Sequence, residues 1–162
     1  MKKILLTLAL AAASLTAAAQ RTPHAIGLHI GGSTIDAEYQ YHFNDRNFLD
    51  VTAGVFDLGD GFSAQVLYNW NLKHWKQWTP NFATWKVYAG VGGGFGYYDD
   101  DGPDYDDFFL GPVGMLGFGF TLRSCPLTVA VDYRPMVAFA PGDGSVIGRG
   151  FRNIGLTITY RF

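Results

Sequence analysis

Apolar and polar side chains alternate along most of this chain. In Thr34 to Phe43, Ile35, Ala37, Tyr39, Tyr41 and Phe43 alternate with Asp36, Glu38, Gln40 and His42. In Asn153 to Phe162, Ile154, Leu156, Ile158, Tyr160 and Phe162 alternate with Asn153, Gly155, Thr157, Thr159 and Arg161. A period of two marks an extended strand with two unlike faces. Read through to the end, the pattern predicts eight strands: His24–Gly31, Thr34–Phe43, Asn47–Asp57, Phe62–Leu72, Thr84–Tyr97, Phe108–Leu122, Leu127–Phe139 and Asn153–Phe162. Gly31-Gly32-Ser33, Asn44-Asp45-Arg46, Leu58-Gly59-Asp60-Gly61 and Arg123-Ser124-Cys125-Pro126 supply tight turns. Lys73–Ala83, Tyr98–Asp107 and Ala140–Arg149 are longer connections. No internal repeat, linker or second domain breaks the alternation.

Composition sharpens this picture. The chain has 162 residues, only 16% charged and 16% aromatic, with 21 glycines and a mean hydropathy of +0.06. Low charge at moderate hydropathy suits strands with one apolar and one polar face. After the N-terminal segment, no stretch approaches the roughly 20 apolar residues of a helical membrane span. Lys2 and Lys3, the apolar run Ile4–Leu15 and Ala17-Ala18-Ala19 read as a cleaved signal peptide over residues 1–19. The barrel domain would then be residues 20–162. Gln20, not cysteine, directly follows the cleavage site, so a lipid anchor is not expected. Lys2 and Lys3 leave with the signal, so the 12 Lys+Arg of the whole chain become ten against 14 Asp+Glu. Export from a bacterial cytoplasm follows. One cysteine, Cys125, excludes a disulfide framework and a cysteine-based metal site.

Which face meets the core decides the class. A secreted β-sandwich turns its apolar face inward, whereas a membrane barrel turns it outward. Runs of about ten to twelve residues, tilted by about 45°, rise about 25 Å, the height of a lipid-facing band. The strand count is even. Aromatics on the apolar parity gather near strand ends: Phe43, Trp70, Trp85, Tyr160 and Phe162 at one rim, Phe62 and Phe139 towards the other. The expected fold is all-β, an eight-stranded antiparallel up-and-down transmembrane β-barrel.

The stretch Asn153–Phe162 resembles the C-terminal strand of bacterial outer-membrane barrels, which ends in Phe and is read by the barrel-insertion machinery. Tyr160 and Phe162 would carry that assembly signal. The whole mature chain resembles the small OmpX/OmpA-type barrels, without a periplasmic domain. The resemblance implies a bacterial outer-membrane location and a structural or surface-interaction role: envelope integrity, adhesion or lipopolysaccharide contact. It implies outer-membrane lipid and lipopolysaccharide as partners, a monomer, no cofactor, no nucleic acid and no catalysis. Some eight-stranded barrels of this kind are lipid A acyltransferases or deacylases, so a lipid A-modifying enzyme is the alternative. Its candidate residues here are His29, Ser33 and Asp36, near the first hairpin, although the His-x-Ser arrangement of the deacylases is absent.

On the polar parity, Asp36, Glu38, Asp50, Lys86, Asp132, Arg134 and Arg161 lie within strands. Eight strands enclose a space that side chains fill, so these residues are expected to form a buried polar network and a lumen that does not conduct. Their heights suggest two layers, Asp36 and Glu38 level with Arg134, and Asp50 and Lys86 lower. Thr52, Gln65, Asn69, Thr157 and Thr159 would fill between. Asp99, Asp101, Asp104 and Asp106 in the acidic loop are weak candidates for a divalent cation, but the spacing is not that of an EF-hand, and a solvated loop is the simpler account. All four tryptophans fall between positions 70 and 85, interleaved with Lys73, His74, Lys76 and Lys86. A membrane-interface belt explains them more simply than nucleic-acid binding.

Overall fold

The computed structural model describes residues 22–32, 34–56, 61–77, 82–99, 106–141, 145–147 and 153–162, with the backbone alone for 56, 98–99, 106–107 and 145–147. The signal peptide read over residues 1–19 lies outside them, as do Ser33, Asp101 and Asp104. The protein is all-β, and no helix occurs among the described residues. The strands are β1 His24–Gly31, β2 Thr34–His42, β3 Asn47–Phe56, β4 Gly61–Trp75, β5 Ala83–Asp99, β6 Asp106–Leu122, β7 Leu127–Tyr133, β8 Ala138–Ala140, β9 Ser145–Ile147 and β10 Ile154–Arg161. Each of β1 to β6 pairs antiparallel with the next, β7 pairs with β10, and β10 pairs with β1. An up-and-down barrel of eight strands is closed, which excludes the sandwich.

The expected seventh strand, Leu127–Phe139, is split, and two prolines explain the break. The pairs Leu116↔Tyr133, Val113↔Met136 and Leu110↔Phe139 keep one register, so β7 and β8 continue a single barrel strand. Between them Pro135 faces Gly114 and Pro112 faces Val137. Gly114 N–H donates to Pro135 O at 2.9 Å and Val137 N–H donates to Pro112 O at 3.0 Å. Neither proline can return the bond, so two rungs of the ladder are missing. A second departure follows it: β9 pairs with β8 inside the expected loop Ala140–Arg149 and adds a short strand beyond the eight.

The register fixes the shape of the barrel. From Gly117 the pairings run through Asp132, Gly155, Gly31, Thr34, Phe56, Gly61 and Tyr98 and return to the starting strand at Asp107, ten residues along. A stagger of that size tilts eight strands by about 40° to the axis. Local chemistry pins the turns. Asn44 Oδ1 accepts from the N–H groups of Arg46 and Asn47 at 2.8 and 2.9 Å, a side chain standing in for a strand partner. Gly32, at φ 59°, takes the left-handed conformation that the β1–β2 turn requires. The expected connection Lys73–Ala83 is shorter than the sequence suggests, because β4 continues to Trp75 and β5 begins at Ala83.

The two faces are inverted relative to a water-soluble barrel. Ile26, Leu28, Ile30, Val66, Val91, Leu116, Val131 and Ile154 point outward, and Leu28 is 53% and Val91 58% exposed. Asp36, Glu38, Gln40, Asp50, Thr52, Asn69, Asp132, Thr157 and Thr159 point inward and are buried.

Candidate functional site: the barrel lumen

Arg134 is the hub of the lumen. It follows β7, where the missing rung at Pro135 ends the regular strand, and it is 1% exposed. Its Nε donates to Asp132 Oδ1 at 2.8 Å and its Nη2 to Glu38 Oε2 at 3.1 Å. Asp50 Oδ2 stands 3.6 Å from the same Nη2, an ion pair without a hydrogen bond. Thr157, from β10, joins the carboxylates by donating to Asp132 Oδ2 at 2.6 Å. Gln40 Nε2 donates to Glu38 Oε1 at 2.5 Å and extends the network toward the end of the barrel where β2 turns into β3.

His29 continues the chain of charges on the other side. It is fully buried, with Nδ1 2.9 Å from Asp36 Oδ2 and Nε2 3.1 Å from Asp132 Oδ1. A neutral ring can donate to one of these carboxylates, while an imidazolium satisfies both. Thr34 Oγ1 donates to Asp36 Oδ2 at 2.9 Å and closes that end. The ring fits because β1 and β10 carry glycine where it lies. A Cβ on Gly155 would collide with Nε2, and one on Gly31 would stand 2.9 Å from Cε1.

The opposite wall is apolar. Phe48, Leu67, Tyr88, Phe109, Val113, Met115, Ala130, Met136 and Ala138 form a continuous buried cluster. Tyr88 lies across the backbone of Gly117, its direct partner on β6, and Phe109 likewise covers Gly96. Aromatic rings laid over cross-strand glycines fill a narrow barrel without crowding it. Lys86 reaches into this wall, with Nζ 5.8 Å from the Phe48 ring centre and 5.5 Å from that of Tyr88.

The expected residues therefore assemble in part. Asp36, Glu38, Asp50, Asp132 and Arg134 come together, but in one chain rather than two layers. Asp50 faces Arg134 instead of Lys86, and Asp36 faces His29. Arg161 stays at the edge, where its Nε donates to Thr22 O at 2.8 Å. His29 and Asp36, weighed as catalytic candidates with Ser33, do meet, yet inside the lumen. Sequence reasoning left His29 out of the network, although its parity with Gly27 and Gly31 marks it as inward. Of the cation candidates, Asp99 and Asp106 are paired through their backbones across β5 and β6. Among the described residues, no cluster of three or more His, Cys, Asp or Glu side chains could hold a metal. Comparison with protein-family models, curated proteins and solved structures finds no match to this chain.

Proposed function

We propose that this chain is a bacterial outer-membrane barrel of the OmpX/OmpA type, exported by a cleaved signal peptide. Its role is structural or surface-interactive, through envelope integrity, adhesion or lipopolysaccharide contact. The inverted alternation carries the reading. An outward face of Ile, Leu and Val suits hydrocarbon, and a closed barrel leaves no unpaired edge in lipid. Aromatics at both ends, Phe43 and Trp70 near one and Phe62 and Phe139 near the other, suit the two interfaces. Tyr160 and Phe162 are the residues from which the insertion machinery would read the last strand.

The lumen is read as filled and non-conducting. Arg134 and its carboxylates lie against one wall, and Phe48, Leu67 and Tyr88 cover the other. The burial of His29 between two carboxylates favours a packing role over lipid A chemistry, which needs a histidine at the outer leaflet. The test is a refolded sample in lipid. It should migrate differently on gels before and after heating, and planar-bilayer recordings should stay silent. Steady ion-selective conductance would show an open lumen, and failure to insert would remove the membrane reading. Altered lipid A acylation in cells carrying the gene would favour the enzyme instead.

A further inference from the structure

The turn end of the barrel, where β2–β3, β4–β5 and β6–β7 connect, has a feature the alternation alone does not predict. The β4–β5 register shifts between Asn71 and Lys73, so Leu72 is an extra residue in β4. Bulges re-aim the side chains that follow them. Without the shift, Lys73 would face Lys86 on the luminal parity. With it, Lys73 pairs with Val87 and Trp75 with Trp85, both on the outward parity, and His74 takes the place opposite Lys86. A cation is thus placed on the apolar face directly after Leu72, which is 61% exposed.

The surroundings suit that cation. Lys73 Nζ lies 5.2 Å from the Trp75 ring centre. Trp85 stacks on Phe118 at 5.3 Å and meets Phe120 at 5.1 Å, which makes an aromatic band on the outward face. Just beyond the band are exposed Lys76 and Arg123. Arg123 N–H donates to Phe82 O at 2.9 Å, and its guanidinium donates to Lys76 O, so the β6–β7 turn is held against the end of β4. Among the described residues, none of Lys73, Lys76 and Arg123 forms an ion pair. His74, Trp75, Lys76 and Gln77 line an open groove beside them.

We infer that this shelf binds the headgroup phosphate of an anionic phospholipid. The inference rests on the membrane reading, with the turn end on the periplasmic side. Aromatic rings sit at headgroup depth, and cations one step further out meet lipid phosphate. The arrangement here, apolar Leu72, an aromatic band with Lys73 against Trp75, and Lys76 and Arg123 just beyond it, matches that sequence of layers.

All four tryptophans of the chain fall within positions 70–85, and Trp70, Trp75 and Trp85 lie at this end. The barrel is reconstituted in phosphatidylcholine containing a small fraction of brominated phosphatidylglycerol or, in parallel, brominated phosphatidylcholine. Tryptophan quenching should show the anionic lipid enriched about fivefold or more over its bulk fraction. Lys73→Gln/Lys76→Gln/Arg123→Gln should bring the two lipids level. Equal quenching by both lipids in the native barrel overturns the inference while leaving insertion intact. No quenching by either lipid instead defeats the membrane reading. Added inorganic phosphate at constant ionic strength should not abolish the preference; if it does, the shelf takes free phosphate and the lipid assignment falls.

Discussion

Arg134 and Glu38 stand 96 residues apart in the chain, and their Nη2 and Oε2 atoms meet 3.1 Å apart across the lumen. Glu38 is on β2 and Arg134 follows β7, so the contact spans the barrel interior and not a strand pair. Asp50 and Asp132 crowd the same guanidinium. One guanidinium therefore serves three carboxylates. Arg134→Ala leaves all three buried without it, and breaking a buried pair in this way costs about 3–5 kcal/mol. Urea unfolding in micelles should show a loss of that size. Arg134→Leu combined with Glu38→Gln and Asp50→Asn should recover much of it, because two of the three stranded charges leave with the arginine and Asp132 keeps His29 and Thr157. A triple variant as unstable as Arg134→Ala would mean that the arginine acts through packing alone.

Tyr88 and Gly117 give a second test, since the ring occupies the space a β-carbon would need. Gly117→Ala forces a buried ring to move and should cost about 1–3 kcal/mol, the usual penalty of overpacking. Gly93 provides the contrast. It faces outward, and a β-carbon there would meet nothing nearer than Gly111 O at 3.8 Å. Gly93→Ala should be neutral or slightly stabilising, because it lowers the freedom of the unfolded chain. Equal losses at both positions in the same unfolding assay would remove the ring from the explanation.

Strand positions were legible because alternation and turn chemistry are local. β1 runs from His24 to Gly31 as read, and Asn44 closes its turn with its own side chain. Closure of the barrel was legible from strand number and length. What failed depended on neighbours that one strand does not reveal. The split at Pro135 follows from a second proline, Pro112, one rung away on the partner strand. The extra residue Leu72 is invisible without the register of β5. The polar network was half legible: parity placed its members inside, but which carboxylate meets which cation depends on tilt and stagger. The apolar wall was missed because both faces of β6 are apolar, so Phe109, Val113 and Met115 carry no contrast with Leu110, Leu116 and Phe118. Alternation cannot orient a strand that lacks it.

His29 supplies the last test, because its place depends on two glycines as well as two acids. His29→Ala leaves Asp36 with Thr34, and Asp132 with Arg134 and Thr157. Each carboxylate keeps a partner, so the loss should be about 1–3 kcal/mol, smaller than for Arg134→Ala. Gly155→Ala places a methyl where Nε2 lies and should push the ring away from Asp132 while leaving the Asp36 side closer to its native position. The two substitutions are therefore coupled. In the His29→Ala background, Gly155→Ala should cost less than in the native chain, by about 0.5–3 kcal/mol. Some cost remains in either background, since a β-carbon at 155 also stands 2.8 Å from Gly31 Cα. Unfolding free energies of the four proteins, measured in the same micelles, give the coupling directly. A cost for Gly155→Ala that is the same with and without the imidazole would show that the strand backbones, and not His29, require glycine there.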